Sequence, residues 1–392
     1  MPPLPEALAR ILAISLLCSA AATAVAAQSV VQPATQTQAP AAPVSKFVVE
    51  QIAAGLEYPW SLAFLPDGRL LVTERPGRLR IIGRDGTMSK PLAGVPDVAA
   101  TGQGGLLDVV LAPDFVASGT TYISFAESRG WRANGTAVAR GRLVMTPGNE
   151  RLDGVQVIFR QLPEHRGGLH FGSRFAFAPD GHLFVTLGER FEMRFAQDLG
   201  RHWGKVVRLD ANGRAPKDNP FVGRAGAAPE IWSYGHRNPQ SAAIHPDTGT
   251  LWVVEHGPRG GDEVNVVKRG ANYGWPEIGY GIDYSGAVLH ESTHKDGMEQ
   301  PTYYWAPSIA PSGMAFYTGA LFPAWRGNLF VGALAGRALH RLVLDGERIV
   351  AEEIMLRDRS ERIRDVRQGP DGALWLLTDA ADGRVLRIKP AN

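Results

Sequence analysis

One phrase recurs along this chain, and it limits the fold more than any other feature. A Pro-Asp-Gly turn running into an apolar strand is written as Leu65-Pro66-Asp67-Gly68-Arg69-Leu70-Leu71-Val72-Thr73-Glu74 and again as Ala178-Pro179-Asp180-Gly181-His182-Leu183-Phe184-Val185-Thr186-Leu187. It returns as His245-Pro246-Asp247-Thr248-Gly249-Thr250-Leu251-Trp252-Val253-Val254 and as Gly369-Pro370-Asp371-Gly372-Ala373-Leu374-Trp375-Leu376-Leu377-Thr378. Proline presets the first corner and Asp-Gly accepts the rest of the turn, so each copy predicts a tight hairpin feeding a strand. Weaker copies, Ala112-Pro113-Asp114-Phe115 and Pro323-Ala324-Trp325-Arg326-Gly327-Asn328-Leu329-Phe330-Val331, complete a series of six. A repeat of about fifty residues carrying several short strands marks a propeller, in which each sheet buries its faces against its neighbours. The expected fold is therefore all-β, a six-bladed β-propeller of four-stranded antiparallel sheets. A two-sheet sandwich would leave the six copies without a reason.

The ends of the chain differ from this body. Residues 1–27 carry Arg10, a short apolar run from Ile11 to Leu17 and Ala24-Val25-Ala26-Ala27, the order of a secretory signal peptide. That apolar run is too short to span a bilayer, and no later stretch approaches about twenty apolar residues, so no membrane span is expected. Cys18 is the only cysteine and falls inside this segment. A lipoprotein role for it is disfavoured by the bulky Leu17 before it. A cut after Ala27 leaves a thiol-free mature chain, expected to be periplasmic or secreted and stabilised by packing. Residues 28–45 are uncharged and rich in Ala, Pro, Gln and Thr, a flexible linker leading into a propeller domain over 46–392. The net charge of +2 arises from 41 basic and 39 acidic residues with no long block of either sign, which argues against a nucleic-acid partner.

Propellers concentrate function on the loops at one mouth of the axis. In Gly102-Gln103-Gly104-Gly105, an amide sits between glycines ahead of a strand, a flexible turn or a donor aimed at a polar ligand. Leu169-His170-Phe171-Gly172-Ser173-Arg174-Phe175 leads into a repeat copy, so His170 can face the axis, and its near-neutral titration suits it to take a proton from an alcohol. His165 is the local competitor for that role. The matching loop of the next unit holds Tyr234-Gly235-His236-Arg237-Asn238-Pro239, where Arg237 offers a fork of donors suited to a carboxylate or quinone oxygen. The segment Glu255-His256-Gly257-Pro258-Arg259-Gly260-Gly261-Asp262-Glu263 is rich in backbone and bears adjacent carboxylates, hard oxygen ligands of the kind calcium selects, without the spacing of an EF-hand. Trp305 to Gly313, with Ser308, enters the same mouth by register. In Arg362-Ile363-Arg364-Asp365, alternation puts two arginines on one side of a strand, where they repel unless an anion lies between them.

As an ordered set from about Phe47 to Ile388, these segments resemble the soluble aldose sugar dehydrogenases that use pyrroloquinoline quinone (PQQ), the glucose/sorbosone dehydrogenase-like family. The resemblance implies an oxidoreductase that takes an aldose at C1 to a lactone and passes electrons to an external acceptor, as a monomer or homodimer. It implies His170 as the catalytic base, with Gln103, Arg237, Asn238, Arg362 and Arg364 holding the cofactor and Ser308 contributing a hydroxyl. It further implies a cofactor-linked calcium on main-chain oxygens of Gly257-Pro258 and a structural calcium at Glu263 and Tyr273. One departure is visible: relatives carry a lysine after Gly-Ala-Leu, where this chain has Ala335, so that contact is lost unless Arg337 reaches in. Two other functions suit a propeller. A calcium-dependent sugar lactonase would want a carboxylate-rich metal centre on the axis, against which the arginine pair argues. A glycan- or partner-binding propeller without catalysis would show no redox spectrum with cofactor and calcium.

Overall fold

The computed structural model describes residues 39–391. The signal-peptide expectation for residues 1–27, and the first part of the linker, lie outside the described residues. Six antiparallel sheets follow one another, and we number them as blades in chain order. Blade 1 holds Pro59–Phe64, Leu70–Glu74 and Arg78–Ile82, and blade 2 holds Leu106–Leu111, Thr120–Ser128, Asn134–Val144 and Arg151–Arg160. Blade 3 holds Phe175–Phe177, Leu183–Leu187, Lys205–Leu209 and Ile231–Tyr234, and blade 4 holds Pro239–Ile244, Leu251–Glu255, Asp262–Val267 and Tyr303–Trp305. Blade 5 holds Pro311–Phe316, Leu329–Ala333, Ala338–Asp345 and Arg348–Met355. Blade 6 takes Ile363–Gln368, Leu374–Thr378 and Gly383–Pro390 from the end of the chain and its outermost strand, Phe47–Leu56, from near the start. The first strand of each blade is innermost. Blade 1 is the irregular member: its fourth position is a short stretch in which Ser89 N–H donates to Ile81 and Leu92 N–H to Leu79, both at 2.9 Å.

Every copy of the phrase forms the hairpin between the first and second strands. In blade 1, Gly68 N–H donates to Leu65 C=O while the Asp67 carboxylate accepts from Arg69 N–H, and Gly68 adopts φ of 85°. In blades 1, 3, 4 and 5 the second strand that follows is wholly buried, because it is flanked by sheets on both faces. Side chains alternate between the two neighbours. Leu71, Leu79 and Ile81 pack with Ile123 and Phe125 of blade 2, whereas Leu70, Val72 and Ile82 pack with Leu377 and Val385 of blade 6. Similar clusters occupy the other interfaces, so the core is a ring of wedges. Phe330 sits in the wedge between blades 5 and 6 at 0% exposure. Phe330→Ala should cost about 3–5 kcal/mol, which a denaturant titration followed by tryptophan fluorescence will show as a lowered midpoint.

The end of the expected linker is fastened down. Ala42 N–H donates to Glu352 C=O and Glu352 N–H to Pro40 C=O, while Ser45 bonds Glu353 and Arg341 reaches Pro43 C=O. Residues 40–45 thereby cover the outer edge of blade 5. Its lack of charge had suggested flexibility, but an uncharged strand-like segment is also what an exposed sheet edge accepts.

The axis itself is plugged. Asp108 and Asp365, on the innermost strands of blades 2 and 6, are matched by Arg174 and Arg367 at 2.9 to 3.2 Å. Ser61 Oγ donates to Asp108 at 2.6 Å, and the Arg174 guanidinium lies 4.1 Å from the Trp60 ring. The plug closes the channel below the mouth.

Candidate active site

The hairpin turns of the phrase all lie at one end of the blades, so the opposite end receives loops entering each first strand and residues leaving each second strand. A cavity of about 290 Å³ opens there, lined by Trp60, Gln103, Phe171, Gly172, Gln240, Ala310 and Arg362 from the entering side. Arg75, His256, Leu334 and Asp379 come from the leaving side, and Arg364 and Leu107 complete it. Gln103, Arg362 and Arg364 were expected here from sequence. Arg75, His256, Gln240 and Asp379 were not. Three of those four stand immediately after a second strand: Arg75 after Glu74, His256 after Glu255, Asp379 after Thr378.

The walls are cationic and poorly satisfied. Asp379 accepts from Arg362 Nε and Nη2 at 3.0 and 2.6 Å, while Arg364 stands 3.4 Å away. Asp379 is thus the anion that lets the two arginines share one face, and they hold its carboxyl below the usual range despite burial. The Nε atoms of Arg75 and Arg364 are buried in the wall without a hydrogen-bond partner, and behind it Arg237 Nε and the amide nitrogen of Asn238, neither of them a wall residue, are likewise unpartnered. Unspent buried donors cost about 1–3 kcal/mol each and are tolerated where a ligand supplies acceptors. A ligand with several carboxylate or carbonyl oxygens fits this wall, and the oxygen-rich quinone PQQ is of that kind.

His170 adjoins the cavity. Its backbone N–H donates to Gln103 Oε1 at 2.8 Å, and the next two residues, Phe171 and Gly172, are wall residues. Its Nδ1 lies 3.0 Å from Glu189 Oε1. A carboxylate only accepts, so Nδ1 carries the proton and Nε2 keeps a free lone pair. Burial pushes the imidazole below its ordinary range, the Glu189 carboxylate pulls it back up, and Arg237 and Arg190 add to the lowering. The edge of Phe191, 57% exposed, meets the ring with centroids 5.3 Å apart. Sequence reasoning missed Glu189, which follows the second strand of blade 3 by two residues. His165 sits elsewhere, its backbone paired with Asn134 and its ring edge-on to Trp203.

The remaining candidates divide. Asn238 accepts from Gly172 N–H and Gln240, joining the cavity wall to blade 4. Arg237 turns its Nη1 to the carbonyls of His256 and Gly257, the latter at 2.6 Å. It is the guanidinium that occupies the Gly257 oxygen expected for calcium. Ser308 is not a wall residue: its Oγ donates to Asp262 Oδ2 at 2.5 Å, alongside the N–H groups of Ile309 and Ala310. That carboxylate is fully buried, and its need for donors takes up the hydroxyl. Arg337 points outward to Ser360 C=O, and Ala335 is exposed. The third cavity guanidinium is Arg75.

Beside the main cavity, a void of about 20 Å³ is lined by Glu255, Gly257, Pro258, Glu263 and Tyr273 among others. Asn265 Nδ2 donates to both carboxylates at 3.1 Å, and its Oδ1 is a buried acceptor without a donor. Burial and the neighbouring Glu255 push the Glu263 carboxyl up to about 8. The two crowded acids favour a cation, but Glu255 already accepts from His236 Nδ1 and Arg237 N–H, and among the described residues no group of three or more acidic, histidine or cysteine side chains gathers to hold a metal. The Tyr273 phenol does not join them, donating to Val266 C=O at 2.6 Å.

Comparison with known proteins bears on this geometry. A family model described as Glucose / Sorbosone dehydrogenase matches residues 56–387. The chain is 47% identical over 347 residues to the aldose sugar dehydrogenase YliI of Escherichia coli strain K12, covering 88% of this chain and 93% of that protein. A crystal structure of glucose dehydrogenase superposes with a TM-score of 0.85 at 54% identity, over 88% of this chain and 100% of that one. The PQQ-bound form of aldose sugar dehydrogenase from Streptomyces coelicolor superposes with a TM-score of 0.73 at 31% identity, over 89% and 99% of the two chains.

Proposed function

The chain belongs to the glucose/sorbosone dehydrogenase family, and from that premise we propose that it oxidises aldose sugars at C1 to lactones, using PQQ and calcium, in the periplasm or outside the cell. The observation that carries the proposal is the pairing of a neutral, Glu189-oriented imidazole with a cavity in which the buried Nε donors of Arg75 and Arg364 lack acceptors. Arg75, Arg362 and Arg364 would hold the cofactor's carboxylates, and Gln103 and Asn238 its polar edges. Charge-assisted pairs of this kind are strong in a site partly shielded from water. When bound, the quinone supplies a two-electron acceptor that no side chain offers, and calcium at the Gly257-Pro258 backbone would polarise it once Arg237 yields that oxygen.

The chain's own part is proton chemistry. His170 Nε2 takes the proton of the anomeric hydroxyl; the C1 hydrogen departs with its electron pair as the C1–O bond becomes a carbonyl, and the lactone is released. Glu189 fixes the tautomer and stabilises the imidazolium that forms. The depressed basicity of the imidazole keeps it neutral, and so competent, into mildly acidic solution. A lactonase would need hard anionic ligands on the axis, and this cavity presents three guanidinium groups against one carboxylate, Asp379, which is already paired with Arg362.

Reconstitution tests the proposal. Apoprotein incubated with PQQ and calcium should reduce an artificial electron acceptor on addition of aldoses, with omission of PQQ abolishing the reduction. Bound cofactor with no reduction by any aldose would refute the assignment and leave the binding propeller as the alternative.

A further inference from the structure

His170 holds an unusual backbone, and something must keep it there. Its φ is 52°, Gly172 follows at 64° and Ser173 at 82°. Left-handed backbone is unfavourable for a non-glycine residue, and it persists only where surrounding contacts fix it. On one side, Gln103 accepts from His170 N–H and donates its own N–H to Gly168 C=O. On the other, a single residue touches the loop at three alternate positions.

That residue is Arg190, 1% exposed. Its Nη1 donates to Leu169 C=O at 2.8 Å and its Nη2 to Gly167 C=O at 2.7 Å. Its guanidinium carbon lies 3.6 Å from the centre of the Phe171 ring. Nη2 also donates to Asn134 Oδ1 at 2.5 Å, which ties the assembly to blade 2. No carboxylate stands within ion-pair distance of it among the described residues, and its Nε has no partner. A buried guanidinium with no counter-ion is expensive, and packing alone would be met by an apolar residue. Arg190 and Phe191 are themselves left-handed, both at φ of 65°. The tripeptide Glu189-Arg190-Phe191 therefore meets the base in three ways: a carboxylate on its ring nitrogen, a guanidinium on its loop carbonyls and an aromatic edge on its ring.

We propose that Arg190 is a positioning residue for the sugar oxidation, clamping the Gly167–Phe171 backbone so that the His170 imidazole is held in place beside the cavity wall formed by Phe171 and Gly172. The proposal rests on His170 being the base. Its charge has a second effect, because the groups facing His170 are Glu189, Arg190, Arg237 and His256, and Arg190 is one of the cations that lower its basicity.

The two effects separate experimentally. Arg190→Lys keeps the charge and loses the fork; Arg190→Gln loses both; Asn134→Ala frees the clamp at its far end. Each variant is loaded with PQQ and calcium, and kcat per bound cofactor, KM and the pH profile of kcat/KM are measured beside wild type and His170→Gln. Arg190→Lys should lower kcat about 10- to 100-fold, the scale of an ångström-sized misplacement, with KM within about twofold and the acid limb unmoved. Arg190→Gln should add a shift of that limb to higher pH, since removing a cation lets the imidazole protonate earlier. Asn134→Ala should lower kcat in the same sense but less. Unchanged kcat per loaded site in Arg190→Lys and Asn134→Ala, with only a lower melting temperature, overturns the proposal even if Arg190→Gln does not fold. Full activity in His170→Gln would instead overturn the base assignment beneath it.

Discussion

His170→Gln is expected to lower kcat by about 10²- to 10⁴-fold, the usual contribution of a general base, while PQQ still binds. Glutamine is near in size and can keep a polar contact with Glu189, but at neutral pH it cannot accept a proton. The walls of the cavity proposed to hold the cofactor are contributed in part by Arg75, Arg362, Arg364 and Gln103, and the Gln103 contact to position 170 uses the backbone N–H, which survives the substitution. Cofactor stoichiometry should therefore be unchanged by absorbance titration while steady-state turnover collapses. Wild-type turnover in the loaded variant would remove His170 from the chemistry. His165→Ala serves as the companion control and should retain activity, because that ring packs edge-on to Trp203 and lines no wall of the cavity.

The second large effect is expected at the cavity wall. Arg364 makes only a 3.3 Å contact to Gln240 Oε1 and a 3.4 Å approach to Asp379, and its Nε is unpartnered, so most of its hydrogen-bonding capacity is unspent. A hydrogen bond to a charged group is worth about 1.5–3 kcal/mol. Arg364→Met should then weaken PQQ binding by roughly 10- to 150-fold, at 1.4 kcal/mol per decade. Equilibrium titration of apoprotein at two salt concentrations reads this directly, with a shallower salt dependence in the variant. Arg384→Met, which removes a partly exposed partner of Glu361 on the third strand of blade 6, should bind as wild type does. Equal affinities in the two variants would mean the wall does not hold the cofactor's charge.

How much of this was legible before the structure follows from the repeat itself. Its turn chemistry is local and its strands are apolar on both faces, so the number of blades and the hairpin positions could be read from residues such as Asp67, Gly68 and Leu70 to Val72. The fourth strand of blade 1 could not, because residues 88–92 carry no alternation. The loops entering the first strands were legible for the same reason: Gln103, His170, Arg237 and Arg362 each lie one to five residues ahead of a first strand. What escaped notice was the complementary set, Arg75, Glu189, His256 and Asp379. They follow the second strands, and the phrase that announces those strands could have led to them by one further step to the same mouth. Ser308 shows a different limit, since a hydroxyl's partner depends on which buried carboxylate lies nearby, and Asp262 is brought close only by folding. Arg237 on the Gly257 carbonyl is a pairing of the same kind.

The ring is joined by residues that lie far apart in the chain, Phe47 opposite Pro390 and Leu56 opposite Gly383. A strand made early therefore waits, unpartnered, until almost the entire polypeptide exists, and its pairing must bear the entropy of closing a very long loop. Such a topology makes late truncations as harmful as early ones and leaves an adhesive edge exposed throughout assembly. Permuted genes whose new ends fall in a hairpin turn on the face away from the mouth would convert that distant union into a continuous meander and should refold faster.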